Sequence, residues 1–190
     1  MKLSLLRKDC SLLILFLALA TTAANSVAQP AKSLLGTVAP DWQATNWFNT
    51  APLTLDKLRG KVLLVRWWTA PGCPYCSATA PALNEFYQKY HGKNFEVIGF
   101  YHHKASSPLD PNAVKNYAKK FGFKFPVAID QDWRTLNNWW LDRGEGDWTS
   151  VSFLLDRKGV IRHIHPGGQY VKGDRDYEAL KKKIEELLKE

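Results

Sequence analysis

The sequence predicts one α/β domain: a mixed central sheet, mostly parallel with one antiparallel edge hairpin, flanked by helices. Three observations carry this. Strand-like and helix-like patterns alternate in the order β-α-β-α-β-α-β-β-α, as they do where crossover helices cover both faces of a sheet. Val62-Leu63-Leu64-Val65, continuing into Trp67-Trp68, is a nearly unbroken apolar run, which a strand buried on both faces requires. A chain of 190 residues with 45% hydrophobic content suits one core that needs no metal or disulfide framework, and excludes an intrinsically disordered protein.

The elements follow in order. After the Val62 strand comes a helix with Leu83, Phe86, Tyr87 and Tyr90 at i, i+3, i+4 and i+7, then the strand Phe95–Tyr101. Asp110 caps the next helix and Pro111 takes its first position. Val114, Tyr117, Ala118 and Phe121 form its apolar face, and Gly122 closes it. Pro126–Ile129 is a short strand, with its proline at the tolerated first position. Asp132 is the expected cap of a helix carrying Trp133, Leu136, Trp139 and Trp140. Val151–Leu155 and Val160–Ile164 flank Asp156-Arg157-Lys158-Gly159 as a hairpin. Tyr177, Leu180, Ile184, Leu187 and Leu188 mark a final amphipathic helix, whose Lys181, Lys182, Lys183 and Lys189 read as its solvated face.

The N-terminus reads as an address. Lys2, Arg7 and Lys8 precede the apolar segment Ser11–Ala20, and Ser26-Val27-Ala28 supplies small residues at the −3 and −1 positions of a cleavage site. This is a secretory signal peptide over residues 1–28. The apolar run is about half the ~20 residues that a membrane span needs. Residues 29–36 are the expected flexible lead-in, and 37–190 the domain. Cleavage lowers the net charge of +8 by two and removes Cys10, leaving two of the three cysteines in a compartment where disulfides persist. Nucleic acid is therefore not an expected partner, nor is stable membrane insertion after cleavage, and localisation is periplasmic or secreted.

The remaining cysteines form Cys73-Pro74-Tyr75-Cys76, directly after the buried strand and at the start of a helix. This spacing puts both thiols on one helix face, near enough for a disulfide. The first lies where unpaired N–H groups and the helix dipole favour a thiolate. Cys73 can attack and Cys76 can resolve the resulting mixed disulfide. Half a zinc site is a weaker reading, since no second Cys-x-x-Cys exists. An inert structural disulfide is another, although so small a loop restrains the unfolded chain little.

With the Trp-rich turn before the cysteines and Pro81 five residues after Cys76, the chain resembles the thioredoxin superfamily, and within it the exported TlpA/ResA-type thiol-disulfide oxidoreductases. The matching pieces are Gly36–Trp42, Leu58-Arg59-Gly60-Lys61, Phe95–Gly99, Phe125-Pro126-Val127 and Phe153–Gly159. The resemblance implies a thioredoxin-like fold and dithiol–disulfide exchange with exported protein partners, restored by an upstream redox partner. No cofactor is implied beyond the Cys73–Cys76 pair. Cys73 and Cys76 are the expected catalytic residues, and no metal ligand is assigned. Trp68, Pro74, Tyr75, Thr149 and Ser150 are the expected substrate contacts, with Trp148 sharing the apolar apron role.

Two positions depart from the pattern. Ser150, preceded by Thr149, stands where the superfamily carries a cis-proline facing the cysteines. A cis bond before serine costs ~3 kcal/mol, so a trans bond is expected. Arg66 stands where relatives carry a buried acid or asparagine, and Glu96 is its nearest strand candidate for a partner. The missing proline keeps a redoxin or peroxiredoxin-like thiol peroxidase open, though Thr69 lies four residues before Cys73 rather than three. It also keeps open a copper-binding chaperone using the cysteines and a histidine. His102 and His103 end a strand at the sheet edge where ligands gather, one facing the cysteines and the other not. His163 and His165 share a face of the hairpin as surface residues, and the other tryptophans read as core.

Overall fold

The computed structural model describes residues 34–190, so the expected signal peptide (1–28) and residues 29–33 of the lead-in lie outside it. The last part of that lead-in belongs to the fold. Leu34 is buried and its N–H donates to Glu145, while the Gly36 N–H donates to the Ile161 carbonyl. The flexible segment therefore cannot extend to residue 36 as expected.

The described chain carries six strands and four α-helices: β1 Thr45–Phe48, β2 Val62–Trp68, α1 Pro74–Tyr90, β3 Phe95–Tyr101, α2 Pro111–Lys120, β4 Val127–Ile129, α3 Arg134–Trp139, β5 Ser152–Leu155, β6 Ile161–His165 and α4 Arg175–Leu187. The sheet order is β1-β4-β3-β2-β5-β6. It is mixed, with β2, β3 and β4 parallel and antiparallel pairing at both edges. The β5–β6 hairpin stands as expected, its turn fixed by the Asp156 carboxylate accepting from the Lys158 and Val160 N–H groups. The second antiparallel edge, β1, was not expected. Its Asn46 sits at φ 47° and its register against β4 is interrupted, so no alternation betrays it.

Every residue of β2 is buried, because the strand has a core on each side. Val62, Leu64 and Trp68 face α1, α2 and α4, whereas Leu63, Val65 and Trp67 face the N-terminal segment and α3. β2 pairs with β3 in unbroken register from Val62 opposite Phe95 to Trp68 opposite Tyr101. The two strands thus end together, and the segments that follow them, 69–73 and 102–104, meet at one edge of the sheet.

The start of α3 corrects an expectation. Asp132 does not cap it: Asp132 and Trp133 lie at φ 55° and 58°, and the helix begins at Arg134. Asp130 does the capping. Its buried carboxylate accepts from the Thr135 N–H (2.9 Å) and the Leu136 N–H (2.8 Å), and from Trp67 Nε1 (2.8 Å). One carboxylate thereby ties the helix to the central strand. Its oxygens sit beside three donors, although burial still pushes its pKa up.

Candidate functional site

Cys73 is the N-cap of α1 and Pro74 its first helical residue, where a missing N–H costs nothing. The Cys73 Sγ accepts from the Cys76 N–H at 3.2 Å. The two cysteines form a disulfide with their Cα atoms 5.3 Å apart. The Thr69 N–H, at the end of β2, points to the Cys76 Sγ at 3.5 Å. The sulfurs differ in access: Cys73 is half-buried, while Cys76 is 2% exposed.

A cleft lies on each side of the disulfide. The larger, about 540 Å³, has Cys73 in its wall with Pro71, Pro74, Tyr117 and Phe121, and Lys120 at its rim. The smaller, about 270 Å³, is lined by both cysteines, Tyr75, His102, Trp148, Thr149 and Ser150, with Lys104 and Asp147 at its mouth. Tyr75 and Trp148 meet edge to face, ring centres 5.4 Å apart, and both are exposed. Trp148 is held from behind by Gly167, at φ 142°, where a Cβ would fall 2.1 Å from the Trp148 Cβ.

The structure thus places Pro74, Tyr75, Thr149 and Ser150 around the disulfide. Trp68 is a correction. Its side chain is 1% exposed, packed edge to face against Tyr101, Phe121 and Phe123, and has no surface to offer a partner. Of the two tryptophans considered for an apolar apron, Trp148 has the position. Tyr117 and Phe121 read in the sequence as an ordinary core face. They line the larger cleft because α2 ends above the Cys-x-x-Cys turn, and no pattern within the helix signals that.

Among the described residues the cis peptide bond is Ala70–Pro71, and the Thr149–Ser150 bond is trans. Ser150 is held differently: its Oγ accepts from the Gly168 N–H at 2.9 Å, and its carbonyl accepts from Arg66 Nη1. Arg66 is fully buried. It also donates to the Ser152 Oγ (3.2 Å) and the Gly168 carbonyl (2.8 Å), and lies over the Tyr170 ring at 5.3 Å. Burial draws its pKa down, with Tyr170 opposing. Glu96 is not its partner. That carboxylate lies 3.7 Å from Lys61 and 3.8 Å from His91.

The adjacent histidines divide. His102 enters the smaller cleft, and burial, then Lys104 and Arg66, push its pKa down to about 3. His103 turns away, its Nδ1 3.1 Å from the Tyr101 hydroxyl and its Nε2 2.6 Å from the Ser107 carbonyl. His165 is not the surface residue expected. It is buried beside Tyr170, 3.6 Å from Asp176, and burial followed by Arg66 takes its pKa to about 4. Among the described residues no group of three or more His, Cys, Asp or Glu side chains is disposed to hold a metal ion.

The chain matches the family model described as Redoxin over residues 35–181. It is 31% identical over 134 residues to the thiol-disulfide oxidoreductase ResA of Bacillus thuringiensis, covering 70% of each chain. It is 30% identical over 154 residues to the protein DipZ of Mycobacterium bovis, covering 79% of this chain but only 20% of that one. It thus spans about a fifth of that relative's length. Among solved structures it superposes on a putative thiol:disulfide interchange protein DsbE from Chlorobium tepidum with TM-score 0.65 and 25% identity, covering 81% of this chain and 97% of the other. It matches the thioredoxin-like superfamily protein SPOA0173 with TM-score 0.66 and 27% identity, covering 80% and 97%. With a disulfide at the start of its first helix and this fold around it, the chain belongs to the Redoxin family of the thioredoxin superfamily, in its ResA-like branch.

Proposed function

We propose that the protein exchanges dithiol and disulfide with exported protein partners in the periplasm, with Cys73 attacking and Cys76 resolving. The observation that carries the assignment of roles is the unequal access of the two sulfurs, half-buried Cys73 against nearly inaccessible Cys76. In the reducing direction the Cys73 thiolate attacks a partner disulfide, forming a mixed disulfide and releasing one partner thiolate. The Cys76 thiolate then attacks the Cys73 Sγ, closing the ring and releasing the second thiolate. Two electrons pass to the partner, and an upstream dithiol restores the pair. The position of Cys73 at a helix N-terminus stabilises the anion that both attacks and leaves.

Export rests on the basic, apolar and small-residue succession of residues 1–28. No helix among the described residues is long and apolar enough to cross a membrane. The experiment is exchange with insulin as substrate. Cys73→Ser abolishes it, and Cys76→Ser accumulates a mixed disulfide at Cys73. Unchanged turnover in Cys73→Ser overturns the proposal. Rapid consumption of peroxide by the reduced protein would instead favour the peroxidase chemistry that the absent cis-proline kept open.

A further inference from the structure

One buried group beside the disulfide has no part in the exchange as described. His102 follows β3, fixed by its N–H to the Trp68 carbonyl at 3.0 Å, and its side chain is 0% exposed. It lines the smaller cleft with Cys73 and Cys76; the Trp68 carbonyl is the acceptor nearest the ring, and no cleft group meets hydrogen-bond geometry with Nδ1 or Nε2. Trp133 meets the ring edge to face at 5.3 Å and positions it. Buried polar atoms are ordinarily satisfied, so one left open is a costly exception. The contrast with His103, bonded through both ring nitrogens, is local and sharp. An imidazole with no partner on its cleft side while the disulfide is closed has room for a thiol of the opened pair.

We propose that His102 is the proton acceptor for Cys76 when the mixed disulfide on Cys73 is resolved. This rests on the exchange reading above and adds the group that makes its second step fast. In the mixed disulfide Cys76 is a thiol held away from water, where ionisation is disfavoured. The neutral imidazole takes the Sγ proton, and the Cys76 thiolate attacks the Cys73 Sγ. The bond from Cys73 to the partner breaks as the Cys73–Cys76 bond forms, and the partner thiolate leaves with the electron pair. The imidazolium then returns its proton to that thiolate or to water, so no further reactant is consumed.

The charged groups facing the ring are Arg66 from β2, Lys104 from the segment after β3, and Asp147 from the loop before β5. Burial and the two cations disfavour the imidazolium while the disulfide is closed, so the ring is a weak base in that state. A thiolate formed in the same cleft opposes those cations and holds the imidazolium. Lys104 and Asp147 are both exposed at the cleft mouth, whereas His102 shares the buried side with Cys76.

The test separates the two steps in one trace. The reduced protein is mixed with an aromatic disulfide whose thiol is coloured. The first release reports attack by Cys73, and the second reports resolution by Cys76. His102→Gln is expected to slow the second release roughly tenfold or more at pH 7 and to leave the first within about twofold. The deficit should shrink as pH rises and solvent takes over the deprotonation. Equal second releases at every pH overturn the proposal, and so does a deficit that does not change with pH, which marks a structural role. Absence of the first release in the wild-type protein overturns the exchange reading itself. Should His102→Gln fail to fold, the wild-type imidazole is followed by nitrogen NMR. A higher pKa in the reduced than in the oxidised protein supports the role, and identical titrations refute it.

Discussion

Replacing Asp130 with alanine removes the acceptor of three hydrogen bonds at once, from Trp67 Nε1, Thr135 N and Leu136 N. Loss of a helix cap costs about 1 kcal/mol. Stranding a buried indole N–H next to an apolar core costs about 1–3 kcal/mol more. The carboxylate is itself expensive to bury, since its pKa is raised by desolvation, and that offsets part of the loss. A net destabilisation of about 1–3 kcal/mol follows. At ~2–4 °C per kcal/mol for a domain of this size, the midpoint falls by roughly 2–12 °C. Asp130→Asn keeps the shape and one oxygen but cannot serve all three donors, and should fall between wild type and alanine. The assay is equilibrium urea unfolding of the oxidised protein, with slopes compared to check that the unfolded states match. An alanine variant within about 0.5 kcal/mol of wild type would refute the view that this side chain ties α3 to β2.

Other outcomes follow from the cleft and its surroundings. Trp148→Ala removes the exposed ring that meets Tyr75. It should lower kcat/KM for a protein disulfide several-fold while leaving exchange with a small disulfide unchanged, as steady-state kinetics on the two substrates would show. Gly167→Ala combines a left-handed φ with a Cβ overlapping Trp148. It should destabilise by about 1–3 kcal/mol and alter tryptophan fluorescence. His102 and His165 have folded pKa values of about 3 and about 4, both below the usual 6.5 because burial disfavours their charged forms. A depressed folded value means the unfolded chain binds the proton first. The contribution of each is therefore complete above pH 6.5 and is lost as pH falls from 6.5 toward the folded value, at a slope of about 1.4 kcal/mol per pH unit. Denaturation curves between pH 7 and 4 should steepen accordingly and flatten in His165→Gln.

Much of the fold was legible because β2, β3, α1, α2 and α4 carry periodicity strong enough to survive without context. β1 was not, since four residues with an asparagine at positive φ show no alternation. The capping aspartate was misplaced by two positions. Asp130 and Asp132 both precede the tryptophan-rich helix, and only the left-handed turn at 132–133 decides between them. Trp68 was misassigned because a strand buried on both sides hides which of its residues reach the surface. Arg66 was visible as an anomaly, but most of its partners are not readable from sequence. It bonds the carbonyls of Ser150 and Gly168, which any residue type supplies. Glu96 was a poor candidate for a physical reason. Arg66 lies opposite Gly99, so Glu96 is three residues away along β3, about 10 Å at strand rise. The Cys73–Cys76 pair itself was plain from spacing and position.

The burial of Cys76 bears on traffic as well as chemistry. Any donor and any acceptor of electrons must meet the same sulfur, that of Cys73, because the other is walled off. Two partners therefore cannot be served at once: the first must dissociate before the second arrives. Under the exchange proposed above, the protein is a shuttle between successive encounters, and a tightly held partner of either kind is at the same time a competitive inhibitor of the other.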